Sequence, residues 1–151
     1  MIKGLVSNEI LEGIAYHHEK FDGTGYPQGR KNYRIPLYGR ILSVCDVYHA
    51  LTSNRSYRKS CFPPEVMEYL MSNADTHFDY DILTVFLKNI VAFPVGTFVK
   101  LSNNKSGVVI QNHKENNLRP VVRLLNPNNT PGEEIDLFND YKYMNVTIVA
   151  G

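Results

Sequence analysis

Long apolar runs are missing from this sequence of 151 residues, and none approaches the ~18 consecutive apolar positions of a membrane-spanning helix. The opening Met1-Ile2-Lys3-Gly4-Leu5-Val6 is too short an apolar stretch for a secretory signal. An excess of charge is missing as well. With a formal net charge of +1, the chain gives no global reason to expect a nucleic acid or an anionic membrane as partner, so any anion must be held by local clusters. Cysteine is scarce: Cys45 and Cys61 are the only two, neither sits in a CxxC pair, and a disulfide framework is excluded. Cys45, inside an apolar helical stretch, reads as a reduced and buried thiol, and the cytoplasm is the expected location. Low-complexity tracts and internal repeats are absent. At 43% hydrophobic and 21% charged residues, the composition is that of a folded globular chain, with room for one ordinary domain or two small ones.

The pattern of apolar residues changes near Pro94. Before it the period is helical. One helix is expected from about Ser7 to Lys20, burying Ile10, Ile14 and Phe21, and a second from Leu37 to Ser53 with Ile41, Val44, Cys45, Tyr48 and Leu51 as its core stripe. A short helix follows Pro63-Pro64, where proline suits the first turn. The last places Ile82, Leu83, Phe86, Leu87, Ile90 and Val91 on one face, with Asp79 or Asp81 as N-cap. After Pro94, short β-branched runs alternate with turn clusters: 97–101, 107–111, 121–125, 134–137 and 146–149. Asn103 to Gly107 reads as a hairpin turn and Asn126 to Asn129 as a longer loop. The expected architecture is mixed, an all-α half of about four helices followed by a small five-stranded, SH3-like β barrel that would hide its sheet edges.

The densest polar cluster is Tyr16-His17-His18-Glu19-Lys20-Phe21-Asp22-Gly23-Thr24-Gly25-Tyr26-Pro27. Adjacent histidines on a helix point about 100° apart, so they reach two metal ions, or one metal and one bound anion. The plain alternative is a helix end with two half-exposed histidines. Two glycines in four residues free the backbone to approach a ligand, and Tyr26 offers a ring for stacking and a hydroxyl. The same run also reads as a tight turn ending a helix. Asp46 stands inside an apolar helix, where a carboxylate is costly unless it is paired or metal-bound, and His49 lies one turn further on the same face. An ion pair of Asp46 with Arg40 or Arg55 is the competing explanation. Finally, Arg55, Arg58 and Lys59, with hydroxyls among them, suit a phosphate, although a solvated basic loop has the same composition.

Taken together, these stretches resemble the HD-GYP family, a branch of the HD-superfamily metallohydrolases. The family pattern HHExxDGxGYP is matched without a mismatch by residues 17–27. Ile35-Pro36-Leu37 with Arg40-Ile41, then Asp46-Val47-Tyr48 with Ala50-Leu51-Thr52-Ser53, Arg55, Tyr57 and Arg58, are similar to the family's aspartate helix and the segment after it. Thr76-His77-Phe78-Asp79 resembles the stretch that opens the last helix, and the resemblance spans about residues 8–93. It implies that His17, His18 and Asp46 are metal ligands in a bi- or trinuclear iron or manganese centre. It further implies that Arg55 and Arg58 hold substrate phosphates, and that Asp22, Gly23, Gly25, Tyr26 and Pro27 shape the substrate pocket. The implied activity is hydrolysis of cyclic di-GMP to pGpG or GMP in bacterial second-messenger signalling. On this reading residues 1–93 are the C-terminal half of a catalytic domain and residues 94–151 a small β-barrel domain.

Three residues depart from the family: His49, Asn54 and Ser56 stand where it usually has aspartate, aspartate and proline. The His-Asp dipeptide that names the superfamily, and the lysine beside the phosphate, are absent from this sequence, so no catalytic residue is assigned. The expectation is an incomplete catalytic fragment, whose remaining groups would come from a missing N-terminal half or a separate chain. The alternative expectation is a catalytically inactive module that binds a partner signalling protein such as a diguanylate cyclase domain. Lys100, Lys105, Lys114, Arg119 and Arg123 lie in the β unit among mixed charges with few aromatic clusters, which makes nucleic acid an unfavoured partner.

Overall fold

The computed structural model describes residues 7–53 and 60–151. Two compact units emerge: the described residues up to Cys61 with Glu65–Leu87, and Phe62–Pro64 with Lys88–Gly151.

The first unit is helical. Helix α1 spans Asn8–Tyr16, α2 Leu37–Thr52, α3 Pro63–Ser72 and α4 Tyr80–Asn89. Each start has a local cause. Ser7 is extended at the N-cap position of α1. Ile35 is held extended before Pro36, from which α2 departs. Prolines 63 and 64 open α3. The Asp79 carboxylate accepts the Asp81 and Ile82 amides at 2.9 and 3.3 Å, so Asp79 rather than Asp81 caps α4. The same buried carboxylate pairs with Arg40 of α2. That contact answers one question raised by the sequence, because Arg40 is committed to Asp79 and not to Asp46.

Helices α1 and α2 meet at a glycine. A methyl group on Gly13 would lie 2.7 Å from Tyr38 Cβ, a distance no side chain tolerates, so the two backbones come as close as glycine permits. This contact explains why the expected core face of α1 is wrong. Ile10 and Ile14 are exposed at 44% and 56%, because the helix turns its glycine and not its isoleucines toward α2. Of the three expected core residues only Phe21 is buried. Helix α1 also stops at Tyr16, short of Lys20. The core proper gathers Val44, Val66, Leu70, Phe78 and Leu83, flanked by half-buried Val47, Tyr48, Leu51, Phe86 and Leu87. Tyr48 and Phe86 meet edge to face at 5.3 Å. Cys45 is only half-buried, since its side of α2 borders a groove described below. Ile90 and Val91 lie beyond the end of α4, and Val91 is exposed.

The second unit is an antiparallel sheet of β1 (Phe98–Leu101), β2 (Ser106–Gln111), β3 (Val121–Leu125), β4 (Pro131–Asp136) and β5 (Ile148–Ala150), in the order β4-β3-β2-β1-β5. Alternation along the strands buries Val99, Leu101, Val109, Val122, Leu124, Ile135 and Ile148. The sheet is open, with β4 and β5 at its edges, and the expected closure into an SH3-like barrel is not observed. Arg119 donates to the carbonyls of Leu137, Tyr143 and Met144 at 2.6, 2.9 and 3.2 Å, and Arg123 pairs with Glu134. Both cations are thus engaged within the unit. Asp136 accepts from His113 at 2.9 Å and from the Phe138 amide, the Asn139 amide and the Asn139 side chain at 2.9, 3.0 and 2.9 Å. Burial by itself raises the Asp136 pKa, but these donors outweigh it and hold the value at about 2.

No helix among the described residues is long and apolar enough to cross a membrane.

Two outcomes are expected. Asp79→Ala strands the Arg40 guanidinium and uncaps α4, at a cost on the order of 3–5 kcal/mol, read as a lowered denaturation midpoint. Because the Asp136 pKa is depressed from 3.8 to about 2, its contribution is complete above the ordinary value and fades as pH falls toward about 2. In an acid titration followed by circular dichroism, Asp136→Asn is therefore expected to lose stability relative to the parent near neutral pH, with the gap narrowing across that window.

Candidate metal centre

His17 occupies the C-cap of α1 and His18 the turn after it, so neither lies within the helix and the 100° argument does not apply. The turn instead brings their rings to a centroid separation of 3.9 Å, tilted by 38°. Asp46 comes from the middle of α2. One donor atom from each of His17, His18 and Asp46 lies within 4.8 Å of the others. Two segments, fixed at the Gly13–Tyr38 approach, thus place together three side chains that could hold a metal ion.

The orientation of His17 is set by its neighbour. Nδ1 lies 2.7 Å from the Ile14 carbonyl, which can only accept, so Nδ1 is the donor there and Nε2 is the nitrogen left to face a metal. Asp46 is exposed, contrary to the expectation of a costly buried carboxylate, and makes no salt bridge among the described residues. Two imidazoles and a carboxylate without a cationic partner form a donor set that fits iron, manganese or zinc. Three donors also leave coordination positions open.

The glycine-rich loop is anchored by Glu19, whose role the motif alone does not reveal. Glu19 is buried, and its two oxygens accept the Gln28 and Arg30 amides at 2.7 and 3.1 Å. The chain folds back so tightly that a methyl group on Gly25 would lie 2.2 Å from the Lys20 nitrogen and 2.5 Å from the His18 oxygen. Only glycine fits there. Asp22 accepts the Thr24 amide at 2.9 Å and the Thr24 hydroxyl at 2.7 Å, and Gly23, at φ +85°, completes the turn. The Thr24 amide, then its hydroxyl, lowers the Asp22 pKa. The Phe21 and Asp22 amides bond to the His77 and Thr76 carbonyls, tying the loop to the segment before α4. Burial, and then Lys20, lowers the pKa of His77, which stacks on Phe78.

Tyr26, followed by a cis peptide bond to Pro27, stacks on His18 at 4.8 Å and is itself 62% exposed. Arg30 lies over the Tyr16 ring at 3.8 Å and donates to its hydroxyl at 2.9 Å. Beside the three donors runs a groove of about 330 Å³ lined by Ile14, His17, Leu42, Cys45, Asp46 and His49. Arg55 and Arg58, together with Asn54 and Ser56, lie outside the described residues.

Glu19→Ala removes the acceptor from two amides. Hydrogen exchange at Gln28 and Arg30 is expected to accelerate at least about ten-fold, while exchange in α4 stays unchanged.

A family model described as an HD domain matches residues 2–82. A cyclic di-GMP phosphodiesterase of Pseudomonas aeruginosa is 38% identical over 119 residues, 79% of this chain and 28% of that protein. A 3'3'-cGAMP-specific phosphodiesterase of Vibrio cholerae is 37% identical over 84 residues, 56% of this chain and 16% of that protein. A cyclic di-GMP phosphodiesterase of Borreliella burgdorferi is 27% identical over 131 residues, 87% of this chain and 34% of that protein. The chain therefore spans about a third or less of these relatives. A match of 131 residues cannot be confined to the helical unit, so the similarity to the Borreliella protein runs into the sheet.

Proposed function

The chain belongs to the HD domain family, in its HD-GYP branch, and from that premise we propose that it carries the metal- and substrate-binding groups of a metal-dependent phosphodiesterase acting on cyclic di-GMP. The observation that carries this reading is the convergence of His17, His18 and Asp46 within 4.8 Å, beside a loop that presents an exposed tyrosine. Residues 1–93 belong on this reading to the catalytic domain, and residues 94–151 form an accessory β domain. Product is released as pGpG or GMP, and the site works in the cytoplasm.

The geometry supports the following roles for the described residues. His17, oriented by the Ile14 carbonyl, together with His18 and Asp46 would hold iron or manganese in a bi- or trinuclear centre. When bound, the metal supplies Lewis-acid polarisation of the scissile phosphate and lowers the pKa of a water. Tyr26, with one face against His18, offers its exposed ring to a guanine base. Gly23 and Gly25 keep the loop close enough to His18 for that stack, and Asp22 and Pro27 hold its shape. Arg55 and Arg58 are assigned to the phosphates on the strength of the motif they match.

A second reading, an interaction module without catalysis, draws on the exposed Ile10, Ile14 and Leu42. One assay separates the two. The purified chain is incubated with cyclic di-GMP and Mn²⁺, or with Fe²⁺ in the absence of oxygen, and pGpG and GMP are followed by chromatography. Metal bound by the parent and lost in the His17→Ala, Asp46→Ala double variant is the expected result, with little or no turnover because the His-Asp dyad is absent from this sequence. Any turnover seen should fall at least about 10²-fold in the double variant. Failure to bind either metal would overturn the catalytic reading and leave the interaction module.

A further inference from the structure

The groove beside the three donors contains, besides His17, the imidazole of His49 on α2. Asp46 and His49 are three residues apart on one helix, which places their side chains on the same face one turn from each other. Both line the groove with His17, above a floor made by Ile14, Leu42 and Cys45. A carboxylate and a histidine at this spacing can reach one metal ion from a single helix, as the paired Glu-x-x-His segments of carboxylate-bridged helical bundles do.

We propose that His49 is a further metal ligand, forming with Asp46 a helical carboxylate–imidazole pair that extends the donor set of His17, His18 and Asp46. The inference rests on the proposed metal centre and goes beyond it, because the HD-GYP pattern has aspartate at this position. In the structure the His49 ring is turned toward Ser53, whose Oγ lies 3.1 Å from Nδ1 and 3.4 Å from Nε2. A rotation that keeps the Nδ1 contact frees Nε2 for the ion. This repeats the arrangement at His17, where one ring nitrogen is anchored by an oxygen and the other is offered. His49 is exposed, so the rotation meets solvent and not packing. Adding a nitrogen donor shifts the preference of the centre away from hard ions and toward Fe²⁺, Co²⁺ or Zn²⁺.

Calorimetric titration of the whole chain with Co²⁺, combined with the visible absorption of the bound ion, tests this. The parent is expected to bind, and the His17→Ala, Asp46→Ala double variant to lose binding. His49→Ala and His49→Gln should each bind Co²⁺ about ten-fold more weakly and alter its spectrum, with unchanged circular dichroism. Ser53→Ala should weaken binding by a smaller factor. Parental affinity and an unchanged spectrum in both His49 variants, with binding still lost in the double variant, would overturn the role of His49 and leave the metal centre standing. No Co²⁺ binding by the parent would overturn both.

Discussion

A carboxylate removed from water must recover the hydration it gives up, and Glu19 does so through the amides of Gln28 and Arg30. The consequences spread from there. Glu19 sits directly after His18, so burying its side chain aims the backbone inward just past the second imidazole. Its two acceptor bonds draw residues 28–30 back against that point, and the intervening loop has to close over a short span. Gly25 is the response to that closure, since its α-carbon passes where any side chain would strike the Lys20 and His18 backbone. Tyr26 is then delivered onto the His18 ring, and the Tyr26 amide bonds to the His18 carbonyl at 3.2 Å.

A second close approach sets the other side of the site. His17 and His18 follow α1, whereas Asp46 belongs to α2, so the spacing of the donors depends on how these helices cross. Gly13 against Tyr38, and Gly39 against the Tyr16 carbonyl, keep them nearly backbone to backbone at the end of α1. Helix α2 is secured in turn by Arg40 to Asp79, the residue that caps α4. The site thus hangs on two buried carboxylates, Glu19 and Asp79, that are not donors themselves, while the carboxylate placed to meet a metal is exposed.

What the sequence made visible follows from this division. Residues that act by their own chemistry stand out: His17, His18, Asp46 and the Asp22 to Pro27 run could be read from their types and spacing. Helices α2 to α4 and β1 to β3 carried enough apolar period to be placed within a few residues. What escaped depends on contacts between distant segments. The isoleucines of α1 advertise a core face, but a single glycine outweighs them by permitting an approach they would block. Asp46 looked buried because its neighbours in the chain are apolar, yet a helix has two sides, and this side borders a groove. The extent of α1 was overdrawn because periodicity cannot register the inward turn at Glu19. Strand composition alone does not fix whether a five-stranded sheet closes, since closure depends on the pairing of β4 and β5.

The exposed apolar residues at this site invite a chemical reading beyond that of an unfinished core. Ile14, Leu42 and Cys45 lie against His17, Asp46 and His49. A phosphate held by a cation in such a groove would be bordered on one side by carbon and on the other by the donors. Ordering water against the apolar floor gains little, so a ligand that displaces it loses little hydration there. The remaining field between cation and anion is screened less than it would be on an open polar surface. The proposed function therefore needs the isoleucine and leucine of the groove where they are, beside the charge, and the Gly13 contact supplies that placement by letting α1 pack without them.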